Sequence, residues 1–215
     1  PLSNVKVYIP PESLGAGQRL QIEAQELSIP LDPPVIPQDI ELTPPRLDDP
    51  RPDLTRLHDA LGQMATTPLR VPLTLLSTLS DELRVHDYRL RLALRGGELA
   101  GLFPRGTRLL GLAVDIGTTK LAAYLIDLES GKTVAQEGVA NPQLAYGEDV
   151  ISRIAYANQH HDGRQVLQSV LITRLNELAG ELCAPLGESP HQIVEAVVVG
   201  NTVMQHLFLG LPVRQ

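Results

Sequence analysis

Proline is spread unevenly along this chain, and that restricts its folding more than any other feature: 13 of the 18 prolines fall in residues 1–72 and five in the remaining 143. Each proline fixes its own φ, lacks an amide donor and pushes the residue before it toward extended geometry. Leu27 to Pro52 contains Pro30, Pro33, Pro34, Pro37, Pro44, Pro45, Pro50 and Pro52, so no regular helix fits there. Ile29, Leu31, Val35, Ile36, Ile40 and Leu42 give the same stretch apolar side chains to dock, and it reads as an extended connector lying along something. Before it, Asn4 to Ile9 reads as a short strand stopped by Pro10 and Pro11, and Ser13 to Glu26 as a short helix weakened by Gly15 and Gly17. The expected organisation is therefore an N-terminal strand, helix and linker over 1–50, a small unit over 51–107 and a larger one over 108–215.

The small unit reads as α+β. Leu54, Leu57, His58, Leu61 and Met64 recur at helical spacing behind Pro52, and Leu75, Leu76 and Leu79 mark a second helix over Leu73 to Leu83. Tyr88, Leu90, Leu92 and Leu94 then alternate with Arg89, Arg91 and Arg95, the period of a half-buried strand, and Gly96-Gly97 turns it into Leu99 to Phe103. Eight arginines against six acids give this unit a local charge of +2, and the alternating arginines read as its solvated face.

The larger unit reads as α/β. Leu109 to Asp115, Leu121 to Asp127 and Thr133 to Ala140 form a three-strand meander, with turns at Gly117 and at Ser130-Gly131. A helix follows over Gly147 to Asn158, with Val150, Ile151, Ile154 and Ala155 inward. A longer one over Gly163 to Cys183 carries Val166, Leu167, Val170, Leu171, Leu175, Leu178, Ala179 and Leu182 on one stripe. Ile193 to Val199 is an almost wholly apolar strand, suited to a buried sheet centre, and Thr202 to Leu209 is a last helix.

Composition narrows the function. Hydrophobic residues make up 43% of the 215 and charged residues 20%, which excludes a chain dominated by disorder. The net charge of -7 opposes a nucleic-acid coat, and no apolar run approaches the ~20 residues of a membrane-spanning helix. A single cysteine, Cys183, excludes a disulfide framework or a cysteine-ligated cluster held by this chain alone; it reads as a small buried hydrophobe in a reducing, cytoplasmic setting. Gly131-Lys132-Thr133 is not the end of a P-loop, because Ile126 stands where that motif needs glycine. Gly15-Ala16-Gly17 lacks the third glycine of a dinucleotide fingerprint, and His160-His161-Asp162 reads as a polar loop.

Leu112-Ala113-Val114-Asp115-Ile116-Gly117-Thr118-Thr119-Lys120 carries chemistry. An apolar strand delivers one carboxylate to its carboxyl end, and the chain reverses through a glycine and two hydroxyl residues into the next strand. Such a turn gathers amides and hydroxyls suited to phosphate oxygens, with an acid at hand to hold Mg²⁺ through water. The alternative is a plain hairpin with an incidental Asp, which would have no need of the carboxylate at that place.

Asp115-Ile116-Gly117-Thr118-Thr119 resembles the first phosphate motif of the actin, sugar kinase and Hsp70 superfamily of ATPases, and the order of strands and helices after Leu109 matches that superfamily's first, ribonuclease H-like half-domain. Val5 to Ser13, Asn141-Pro142-Gln143, Gly147 to Ile154 and Val199 to Met204 resemble, more narrowly, the reductive activators of corrinoid proteins. The resemblance implies a linker, a middle domain over 51–107 and the first half of an ATPase domain over 108–215. An upstream [2Fe–2S] domain, absent from this chain, would pass an electron to the cob(II)alamin of a corrinoid protein in a methyltransferase system. ATP and Mg²⁺ would drive the uphill reduction to Co(I) by favouring a reducible cobalt geometry. By position, Asp115 would hold Mg²⁺ and water, Gly117, Thr118 and Thr119 would cradle phosphates, and Asn201 would face the same cleft. Lys120, where threonine is common in the family, either reaches a phosphate or faces solvent. Asp149 and Arg153 lie four apart, so they either pair on one helix face or serve the cleft or a partner surface. The resemblance also implies dimerisation through the ATPase domain. It casts the chain as a fragment that lacks its redox front and stops before the second half of the cleft, inactive alone. A small-molecule kinase of the same superfamily and a non-catalytic scaffold are the competing readings.

Overall fold

The computed structural model describes residues 30–62 and 69–214. The strand and helix expected within residues 4–26 lie outside the described residues. The small unit is a three-stranded antiparallel sheet, order β1-β2-β3, formed by β1 (Ile36–Glu41), β2 (Arg89–Arg95) and β3 (Glu98–Pro104). The proline-rich stretch thus supplies a strand. Pro37 sits opposite Ala93, which an edge strand tolerates because its outer side needs no partner for the missing amide. Gly96 and Gly97 join β2 to β3 at φ of 53° and 83°, the left-handed pair that a tight hairpin turn requires. Helices α1 (Asp53–Gly62) and α2 (Leu73–Val85) lay Leu57, Leu61, Leu79 and Leu83 on Leu90, Leu92 and Leu99.

Two of the alternating arginines, Arg89 and Arg95, do lie exposed, whereas Arg91 is mostly buried, and all three are ion-paired. Arg89 pairs with Glu41 at 3.0 Å and Arg91 with Asp39 at 2.8 Å, across the β1–β2 ladder. Arg91 also reaches Glu129 at 2.7 Å and Arg95 reaches Glu195 at 3.2 Å, both in the larger unit. Acids far away in sequence partner these side chains, so the local alternation could not reveal them.

In the larger unit β4 (Leu110–Ile116), β5 (Lys120–Asp127) and β6 (Thr133–Ala140) form the expected meander, and β7 (Ile193–Gly200) runs parallel to β4, giving the order β6-β5-β4-β7. A parallel neighbour requires a crossover, here made by α3 (Val150–Gln159) and α4 (Gly163–Cys183). Leu110, Val114, Ile116, Leu121, Ala123 and Leu125 form the covered face, packed on Leu167, Leu171, Leu178 and Leu182 of α4. Cys183 is buried in the same core, and burial raises its thiol pKa. Among the described strands β7 lies at the sheet edge rather than at a buried centre, with Val197 57% and Val199 50% exposed. The last described helix is α5 (Thr202–Phe208), begun directly after β7.

Val35, Ala93, Leu109 and Leu128 close an apolar seam between the two units. Farther out, Arg56 is 4% exposed and ties the connector down by donating to the carbonyls of Thr43 and Asp49 and to the Asp49 carboxylate at 2.7 Å. Hydrogen bonds from Arg51 and Arg56 hold the Asp49 carboxyl well below the usual carboxylate range. The Arg56→Met variant leaves two backbone carbonyls without their donor and is expected to lose about 2 kcal/mol in urea unfolding. A carboxylate depressed in the folded state stabilises fully above its unfolded pKa. The contribution of Asp49 is therefore complete above about pH 5 and fades as pH falls below about 4, so acid should narrow the gap between variant and wild type.

Candidate functional site

Register puts the site at the carboxyl ends of β4 and β7. Asp115 faces Ala122 on one side and Val199 on the other, and Ile116 lies beside Gly200, so the turn after β4 and Asn201 after β7 are neighbours. Side chains alternate across a sheet, which places Asp115 on the open face while Val114 and Ile116 point into the core. Gly117 has no room for a side chain: a Cβ there would stand 2.6 Å from the Lys120 carbonyl oxygen. Gly200 is similarly tight, its Cβ position lying 2.9 Å from the Ile116 carbonyl oxygen.

The carbonyls of the turn are all engaged from behind. Asn141 Nδ2 donates to Gly117 O at 2.8 Å, Arg153 Nη2 donates to Thr118 O, and the Asn141 amide donates to Thr119 O at 2.9 Å. In a trans peptide the following amide points the opposite way, and no described peptide is cis. The Thr118 and Thr119 amides therefore point away from Arg153 and Asn141, and among the described residues neither donates to a protein acceptor. Asn201 caps α5 by accepting from the Met204 amide at 3.0 Å, and its Nδ2 reaches Thr118 Oγ1 at 3.4 Å. Lys120 opens β5 two residues before Ala122 and so shares the face of Asp115. The carboxyl ends of β4 and β7 thus bring together two amides without a protein acceptor, the Thr118 hydroxyl, the Asn201 carboxamide and the Asp115 carboxylate, with Thr119 in the same turn and the Lys120 ammonium on the face of Asp115.

Arg153 is fully buried beneath the turn and touches the site only through backbone. Its Nε donates to Gly147 O at 2.9 Å, and its Nη1 contacts Met204 Sδ at 3.2 Å and Gln143 Oε1 at 3.4 Å. The pairing that four-residue spacing allows with Asp149 does not form. Asp149 is exposed and accepts from the Ser152 amide at 2.7 Å in a capping box, and those bonds lower its pKa. That box starts α3 at Val150, three residues later than the sequence suggests, and leaves Gly147 in the loop, where a Cβ would stand 2.5 Å from Ser152 Oγ. The inward face of α3 differs as well: Arg153 and Ala157 are buried, while Ile151 is 72% exposed. Asn141 and Gln143, which the sequence marks only as part of a stretch resembling the corrinoid activators and with no role of their own, are both buried and both serve this network. The available signal was Asn141 before Pro142, a cap preceding a proline at the first position of a 3₁₀ turn.

For magnesium, Asp115 supplies one exposed carboxylate, and no cluster of three or more His, Cys, Asp or Glu able to hold a metal occurs among the described residues. That donor set fits an ion held mainly by water and phosphate oxygens, as Mg²⁺ is at nucleotide sites. His160, half of the paired histidines, stacks on Tyr156 at 4.1 Å. None of the described helices is long and apolar enough to cross a membrane.

Known proteins match this architecture along most of its length. A family model described as the RACo linker region matches residues 24–108, and one described as the RACo middle region matches residues 110–215. The division falls between the small and large units, so the family's linker takes in the small sheet and its middle region is the unit that carries the turn. The corrinoid activation enzyme RamQ of Eubacterium limosum is 31% identical over 163 residues, 74% of this chain and 27% of that protein. A solved structure described as a reductive activator for corrinoid, iron-sulfur protein is 36% identical, with a TM-score of 0.70, over 86% of this chain and 31% of that one. The chain thus spans about a quarter to a third of the length of these relatives. Matched in consecutive stretches by two models of one family, the chain belongs to the RACo family, of which it carries the linker and middle regions.

Proposed function

We propose that this chain is the nucleotide-sensing and docking part of an ATP-dependent reductive activator that restores Co(I) in the corrinoid protein of a methyltransferase system. An upstream [2Fe–2S] domain would supply the electron. The observation that carries the nucleotide half is the turn after β4, with its carbonyls held from behind and two amides free beside an exposed carboxylate. The corrinoid half is supported by RamQ and by the solved activator. The linker-region match over 24–108 favours this reading over a small-molecule kinase, which would be expected to begin near its phosphate motif.

In this reading the Thr118 and Thr119 amides and hydroxyls grip phosphate oxygens, Asn201 sets the Thr118 hydroxyl, and Asp115 orients water on Mg²⁺. Magnesium bound there supplies positive charge to the phosphates. The remainder of the cleft belongs to the second half-domain, so each test uses the full-length protein.

With its corrinoid protein and a mild electron donor, the full-length activator should accumulate Co(I) spectroscopically when ATP is present and not when it is omitted. Equal Co(I) in both arms would remove ATP dependence, and phosphorylation of a small molecule would favour the kinase. Calorimetric titration should show Mg-ATP binding more tightly than metal-free ATP to the wild type. Asp115→Asn should bind both alike, whereas retained discrimination would place the metal elsewhere. Gly117→Ala must displace the Lys120 carbonyl, at a cost of about 1–3 kcal/mol, and should lower Mg-ATP affinity while leaving the circular dichroism spectrum unchanged.

A further inference from the structure

Directly behind the turn lies a cation without an anion. All four partners of Arg153 are uncharged: the carbonyls of Thr118 and Gly147, the Gln143 amide oxygen and the Met204 sulfur. Asp149, whose charge acts on it, is exposed and engaged in its own helix cap. Burial lowers the guanidinium pKa and Asp149 opposes that shift. Arginine stays protonated at neutral pH regardless. A buried charge that lacks a counter-charge is costly, and an apolar side chain would pack the inner face of α3 at less expense.

The arrangement makes sense if the counter-charge comes from a ligand. The Thr118 carbonyl and the Thr119 amide belong to one conjugated peptide plane and point in opposite directions. A cation on the oxygen draws electron density from the N–H and strengthens it as a donor toward whatever sits in front. Asn141, donating to Gly117 O, does the same more weakly for the Thr118 amide. Arg153 is also shielded from solvent ions, so salt screens it far less than it screens a surface lysine.

Resting on the nucleotide reading above, we infer that Arg153 is a positioning residue for nucleotide phosphate: its buried charge is relayed through the Thr118–Thr119 peptide and is neutralised by the phosphate bound in front of the turn. Its contact with Met204, whose amide donates to Asn201, ties that second phosphate-facing group to the same guanidinium.

The test compares Mg-ATP and adenosine binding to full-length wild type, Arg153→Met and Arg153→Lys. Arg153→Met should weaken Mg-ATP by about tenfold or more and leave adenosine unchanged, while Arg153→Lys, which keeps the charge, should recover most of the loss. A second measurement needs no variant. In wild type labelled with ¹⁵N-arginine, the Arg153 Nε–H signal should shift on adding Mg-ATP and stay in place on adding adenosine. Wild type that fails to bind Mg-ATP removes the nucleotide reading together with this inference. Wild type that binds while Arg153→Met binds equally well, or while the Nε–H signal stays in place, overturns the inference and leaves the nucleotide reading standing.

Discussion

The burial of Arg153 beneath the turn is the constraint on which the site depends. A guanidinium offers five N–H donors in a planar fork and accepts nothing, so a buried one must be surrounded by oxygen or sulfur. Here the surroundings are the backbone of two loops and a side chain from each of two further elements. Thr118 O is one of those acceptors, and Asn141 engages the carbonyls on either side of it. Once the oxygens of a three-residue turn are committed on one side, peptide planarity commits its amides to the other. The polarity of the turn is therefore set by residues that lie behind it.

The same site depends on register. Asp115 lies between buried Val114 and buried Ile116, so a slip of one residue along β5 or β7 would turn the carboxylate into the core and Ile116 toward solvent. Two features hold the register. Leucines at both ends of β5 and in α4 pack only when the even-numbered residues of β4 face inward. At the far end, Gly117 and Gly200 permit a backbone approach that side chains would prevent.

Much of this was legible in sequence, for identifiable reasons. Helix α4 buries every leucine of its stripe together with Ala179, and leaves Val166 and Val170 half-buried at its margin, because periodicity over 21 residues is decided by one continuous face. The meander and the turn after β4 were legible from alternating strands punctuated by glycine. The interior of α3 was not: local apolar periodicity places Ile151 inward, whereas carbonyls contributed by the Thr118 turn and the Gly147 loop draw Arg153 there instead. The proline-rich segment could be read as extended, but its partner, β2, begins about fifty residues later. In each case the hidden information lay in a contact between segments far apart in the chain.

The junction between the two units combines two kinds of contact, and their magnitudes separate their roles. Arg95 and Glu195 meet with the arginine largely exposed, and surface pairs of that kind contribute about 0–1 kcal/mol each. A fully buried leucine such as Leu109, with Val35, Ala93 and Leu128 around it, contributes about 1.5–3 kcal/mol by leaving water. The apolar seam therefore supplies most of the attraction, and it is nondirectional. Orientation falls to the charged contacts, among which Arg91 is the most constrained: it is mostly buried and holds Asp39, Glu129 and the Thr107 carbonyl at once. Glu195 adds a directional tie near the amino end of β7, the strand whose carboxyl end leads into Asn201. The small unit is thus fastened to a strand that leads into the candidate site, without itself contributing a residue to that site.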